Sequence, residues 1–224
     1  MLDVIKRFIK SQGKLVSKLP FNNYFSIGGT DIDLGDKVII KSKIISKGEN
    51  NKIIFEAGGG GTIRNSTIQI MGSNNTLIIG PGCNIIDGDF WVQDDNNQIQ
   101  IGKNTLLCGK THLACIEGSR IIIGNDCLFS SDIVMRTGDS HSLLNEYGKR
   151  INPSKDIIIG EHVWIGYGVA INKGVRIGNN SVIGTKAVVT KSFEKGSAAI
   201  AGNPARVVRE NVNWDIDRLP MEEQ

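Results

Sequence analysis

The sequence predicts an all-β fold, a three-sided coil of short parallel strands, and three observations predict it. From Ile159 the chain parses into hexads that each open with Ile or Val: Ile159, Ile165, Ile171, Ile177, Ile183 and Val189. The fifth residue of each hexad is small or β-branched, namely Val163, Val169, Val175, Ser181 and Ala187. A period of six with one large and one small slot fits neither helical spacing nor plain alternation. It fits a strand, a bend and another strand, so three hexads close one triangular turn, with turns stacked about 4.8 Å apart. The third observation is composition: 224 residues hold 34 isoleucines but only 13 aromatics, with 27 glycines and 20 asparagines. That is a β-branched core of small repeated slots, joined by residues that tolerate left-handed backbone.

Taken in order, residues 1–20 carry Leu2, Ile5, Phe8, Ile9, Leu15, Val16 and Leu19 at near-helical spacing. They predict an amphipathic helix that caps the open end of the prism. Its bases Lys6, Arg7, Lys10, Lys14 and Lys18 make a weak contact with an anionic membrane surface the second reading. Residues 21–203 read as the β-helix. Ile79, Ile85 and Trp91 are six apart, and Ile101 follows ten later; Ile101, Leu107 and Leu113 repeat this, with Ile123 ten later. Four residues are thus added at one corner, near Asn96-Asn97 and Gly118-Ser119, and Asn74-Asn75 and Asn50-Asn51 read as the same corner in earlier coils. Gly or Asn directly after an opening Ile reads as the bend. After Met135 the next opener is Ile159, one normal hexad plus an 18-residue insertion. This loop, 136–156, begins Arg136-Thr-Gly-Asp-Ser-His141, and a long loop inside a regular solenoid is usually functional. Gly202-Asn-Pro204 ends the coil, and Pro204 suits the first turn of a C-terminal helix and tail over 204–224.

Composition narrows the function classes. A net charge of +3 is too mild for a nucleic-acid-coating protein, and 40% apolar content excludes a disordered chain. No apolar run approaches the roughly 18 residues of a membrane span. The first 20 residues do not read as a secretory signal, so a cytoplasmic location with reduced thiols is expected. Cys83, Cys108, Cys115 and Cys127 have no C-x-x-C spacing, so they read as core fillers and no metal is expected.

The chain resembles the hexapeptide-repeat acyltransferases, which form a left-handed parallel β-helix. The likeness covers roughly residues 70–210. It rests on Arg136-Thr-Gly-Asp-Ser-His141-Ser-Leu, on Val163-Trp164-Ile165-Gly166, and on Val188-Val189-Thr190-Lys191 through Ile200-Ala-Gly-Asn-Pro204-Ala-Arg206-Val-Val-Arg209. Together these are similar to the maltose and galactoside acetyltransferase branch, while the Asn-rich coils and the histidine loop look closer to capsule and sialic-acid O-acetyltransferases. The resemblance implies a homotrimer, acetyl-CoA in a groove between neighbouring prisms, and His141 as catalytic base.

The residues support this chemistry. A sugar hydroxyl is a poor nucleophile, and a positioned imidazole that takes its proton is worth about 10²–10⁴ in rate. Of His112, His141 and His162, only His141 lies in the insertion. Asp139 is a candidate to orient it. Trp164, last in its hexad, is a candidate to pack on the pantetheine or sugar, and a backbone N–H near Gly166 to bind the oxyanion. The resemblance places Tyr167 and Thr185 near pantetheine and adenine. Lys186, Thr190, Lys191, Arg206 and Arg209 are candidates for the coenzyme phosphates, and Lys110 and His112 for the acceptor sugar; His162 reads as an exposed strand residue. The expected function is acetyl-CoA-dependent O-acetylation of a carbohydrate hydroxyl by direct attack in a ternary complex. The alternatives are N-acetylation of an amino sugar, a non-catalytic scaffold, and a γ-type carbonic anhydrase, whose paired histidines the spacing here does not match.

Overall fold

The computed structural model describes residues 15–221. They form a left-handed parallel β-helix with three flat faces. Face one holds nine strands, from Leu15–Leu19 and Asn23–Ile27 through Thr111–Ile116 and Ile133–Arg136 to Val188–Val189. Face two holds seven, ending with Arg120–Ile123, Ile157–Ile159 and Arg176–Ile177. Face three holds nine, including Leu128–Phe129, Trp164–Ile165, Val182–Ile183 and Ala198–Gly202.

The hexad openers fill the prism. Ile159, Ile165, Ile171, Ile183 and Val189 are at most 1% exposed, and the fifth-position residues Val163, Val169, Val175, Ser181 and Ala187 are fully buried. Each isoleucine withdrawn from water contributes roughly 1.5–3 kcal/mol. Registers confirm the period: Ile159 pairs with Ile177, Ile165 with Ile183 and Ile171 with Val189. The ten-residue steps and the long insertion all fall on one edge, between faces one and two.

Two local features differ from what the spacing predicts. The left-handed residue is the fourth of each hexad: His162, Gly168, Gly174, Asn180 and Lys186 all have φ between 52° and 81°. The second-position glycine serves close approach instead, since a Cβ on Gly166 would lie 2.9 Å from the carbonyl oxygen of Ile183 in the next coil. Trp91 faces outward at 36% exposure, while Phe90 and Val92 point in. The corner before it is one residue shorter than the next, so Phe90 pairs with Leu113.

Both ends depart from the helical expectation. Leu15–Leu19 is a strand, antiparallel to Asn23–Ile27, and the rest of the expected N-terminal helix, residues 1–14, lies outside the described residues. Ala205–Glu210 is also a strand, antiparallel to Ala198–Gly202. The cause is the same at each end: a solenoid terminates in a row of unpaired backbone groups, and a returning strand satisfies them where a helix cannot. The β-branched pair Val207-Val208 suits that role.

Candidate active site

The insertion leaves face one after Arg136 and returns to face two at Ile157. Its base is tied down. Arg120 pairs with Asp156 at 2.7 Å and Arg150 with Glu117 at 2.7 Å, while Ser154 donates to Glu117 through N and Oγ. Gly138 is packed so closely that a Cβ would meet Ser154 Oγ at 2.3 Å and Ile116 Cδ1 at 2.6 Å. Asn152, 6% exposed, organises the interior. Its amide donates to the His141 carbonyl at 2.7 Å and to Asp139 Oδ2 at 2.8 Å, and its Oδ1 accepts from Leu143 N at 2.8 Å.

His141 is therefore fixed through its backbone while its ring stands in solvent. Among the described residues the imidazole meets no hydrogen-bonding partner. Asp139 does not orient it: the carboxylate is held by Lys173 Nζ and by Asn152. These two keep its pKa below the usual 3.8, Lys173 being the larger cause. Lys173, which lies outside the loop, is a partner of it that no motif marks. Its place as third residue of the hexad opened by Ile171 puts it on the same prism edge one coil beyond the loop, a neighbourhood that only the stacking of coils creates.

Trp164 lies on face three, 40% exposed. The C-terminal segment crosses nearby. Trp214 stacks on His162 with centroids 4.3 Å apart, donates to the His162 carbonyl at 2.7 Å, and tilts against Trp164 at 6.1 Å. His162 thus sits at a bend and is partly covered, rather than being an exposed strand residue. A groove of about 450 Å³ opens here, lined by Leu106, Leu128, His162, Trp214 and Ile216 among others.

Gly166, Tyr167, Thr185 and Lys186 gather on successive coils at the edge between faces three and one. Lys186 Nζ lies 4.5 Å over the Tyr167 ring, and the Asp132 carboxylate beside the phenol raises the Tyr167 pKa. The remaining cation candidates are dispersed. Thr190 and Lys191 follow Val188–Val189 on the edge between faces one and two, with Lys191 over the Phe193 ring at 5.6 Å. Arg206 and Arg209 lie exposed on the final strand. Lys110 precedes strand Thr111–Ile116, and His112 projects from it, bonded to Asp89 Oδ2 through Nδ1 at 2.8 Å. The three histidines occupy an edge loop, a face and a different edge, and no group of three or more metal-ligating side chains converges among the described residues.

Residues 156–191 match the bacterial transferase hexapeptide (six repeats) family. Over 175 residues the chain is 34% identical to the polysialic acid O-acetyltransferase of Neisseria meningitidis, spanning 68% of this chain and 81% of that one. The chain belongs to the hexapeptide-repeat acetyltransferases. A second member, the polysialic acid O-acetyltransferase of Escherichia coli O1:K1, is 43% identical over 130 residues, which are 58% of this chain and 41% of that longer relative. The hexapeptide-repeat acetyltransferase fold is shared with the crystal structure of the polySia-specific acetyltransferase NeuO, at 34% identity and TM-score 0.74, covering 88% of this chain and 82% of that one. It is shared equally with the polysialic acid O-acetyltransferase OatWY, at 34% identity and TM-score 0.78, covering 85% and 89%.

Proposed function

We propose that this acetyltransferase moves an acetyl group from acetyl-CoA to a hydroxyl of an acidic, sialic-acid-type polysaccharide, with His141 as general base. The observation that carries the reading is a lone imidazole with an open ring, backbone-anchored on the one long loop of a prism whose relatives are named polysialic acid O-acetyltransferases. His141 takes the hydroxyl proton as the sugar oxygen attacks the thioester carbonyl. The C–S bond then breaks, and the proton passes to the departing sulfur to give the free thiol. The Gly166 N–H is given to the Ile183 carbonyl at 2.8 Å, so the oxyanion donor in this reading is a neighbouring backbone N–H on the same edge, with Trp164 an aromatic wall. Direct attack needs no covalent intermediate on the protein.

His141 rises from the edge between faces one and two, while Tyr167 and Lys186 line the edge between faces three and one. A homotrimer in which one copy's loop meets its neighbour's opposite edge joins them into one cleft, with Lys186, Lys191, Arg206 and Arg209 as the cations for the coenzyme phosphates. Exposed Leu143, Leu144 and Tyr147 on the loop (60%, 59% and 84%) fit burial in such an assembly. The alternative acceptor, an amino sugar, uses the same donor and groove, and acceptor screening separates the two. The deciding experiment measures thiol release from acetyl-CoA with sialic acid polymers, neutral sugars and amino sugars. Wild type should turn over the sialic acid polymer, and His141→Ala should lower kcat at least 100-fold with the acetyl-CoA affinity retained. Turnover above about a tenth of wild type removes His141 from the role.

A further inference from the structure

Face one carries a second constellation, outside the residues assigned above except for His112. Asp89 pairs in register with His112, and Trp91 pairs with Ala114, which pairs with Arg136. Asp89 Oδ2 accepts from His112 Nδ1 at 2.8 Å, since an ionised carboxylate only accepts. That fixes the tautomer of the neutral ring and leaves Nε2 as an acceptor, which faces an Arg136 guanidinium N–H at 3.4 Å. Arg136 is exposed, and among the described residues it has no carboxylate partner. Among those residues no neighbouring acid cancels the guanidinium charge.

The shape beside it is specific. Leu113 and Cys115 point into the prism, so Ala114 points out. Ala114 itself is only 6% exposed, so the surface here is presented by its register neighbours, the partly exposed Trp91 one coil before and the exposed Arg136 one coil after. Two strand spacings set the backbones of these two residues about 10 Å apart, a span that one sugar unit with its substituents can bridge across the face. Trp91 offers an aromatic face for the apolar side of a sugar, Arg136 a planar fork that matches a carboxylate through two parallel hydrogen bonds. Arg136 also ends the strand that leads into the loop bearing His141.

We infer that Arg136 reads the carboxylate of the acceptor sugar, laid across face one against Trp91, with His112 and Asp89 as positioning residues. This rests on the acetyltransferase reading and deepens it: the acceptor unit must carry an acid group. Two measurements on the full-length protein test it separately. The first is calorimetric binding, without donor, of a sialic acid oligomer, its carboxyl-reduced counterpart and a hexuronate oligomer. The second is turnover of the same probes with acetyl-CoA. The acid oligomer should bind at least tenfold tighter than the reduced one. Arg136→Gln should erase that preference and raise the acceptor KM about 10- to 100-fold, as loss of charge-assisted hydrogen bonds predicts, with the acetyl-CoA KM unchanged. Arg136→Lys should recover part of the loss, and Asp89→Asn should raise the acceptor KM while kcat stays within about threefold. A hexuronate bound as tightly as the sialic acid oligomer supports the carboxylate reading and widens the sugar class. Equal binding of acid and reduced forms, no binding of the acid form, or a preference that survives Arg136→Gln overturns the inference. Selective acid binding without any thiol release would sustain it and instead defeat the proposed activity.

Discussion

Asp139 shows how much one side chain's partners matter. Lys173 and Asn152 hold its pKa below the ordinary value of 3.8. A carboxyl whose folded pKa is depressed lends stability wherever the unfolded chain's carboxyl is ionised, and loses it as pH falls through the lower folded value. Protection of residues 138–152 from hydrogen exchange should therefore be flat from about pH 8 to 5 and fall only below the ordinary carboxylate range. Lys173→Met should weaken that protection at neutral pH, and a decline centred near neutrality would implicate a different group. At this scale the sequence was legible where chemistry is local and silent where it is not. His141 stood out as the one histidine in an irregular loop. The Lys173–Asp139 contact joins residues 34 apart, and the Arg136–His112–Asp89 row spans three coils, so only the stacking of coils brings them together.

The elements owe their order to a buried polar ladder along the edge between faces one and two. Asn51 Oδ1 accepts from Asn75 N at 2.9 Å, Asn75 Oδ1 from Asn97 N at 2.9 Å, and Asn97 Oδ1 from Ser119 N at 3.2 Å. Ser119 Oγ then donates to Thr137 Oγ1 at 2.7 Å, where the loop begins. Asn97→Ala would leave the buried Ser119 N–H without its acceptor, at about 1–3 kcal/mol in urea unfolding. A change within a few tenths of a kcal/mol would mean that water replaces the amide. The asparagine pairs gave the position of this edge from spacing alone. Their mechanism was hidden, because a composition rich in Asn reads as turns, whereas these side chains do the bonding.

For the molecule as a whole, the prism and its period were readable because an inward isoleucine every six residues is a repeated, local demand. The ends were not, because a terminal segment answers to the edge it must cover and not to its own spacing; hence strands at Leu15–Leu19 and Ala205–Glu210 where apolar periodicity and Pro204 argued for helices. Assembly is the matching question at this scale. Light scattering should give three times the monomer mass at micromolar concentration. The acetyl-CoA KM should rise with salt if a trimer gathers Lys186, Lys191, Arg206 and Arg209 onto the phosphates. A monomer, or a KM indifferent to ionic strength, would speak against the shared cleft.

The second-position glycines bear on what such a tube can tolerate. Gly166 sits where the next turn of chain passes closer than any side chain allows, so the spacing between turns is set by backbone against backbone. A rod built that way cannot breathe along its axis. Whatever adjusts to an arriving sugar or coenzyme must do so in the appended loop and tail, leaving the shaft as a fixed gauge against which they move.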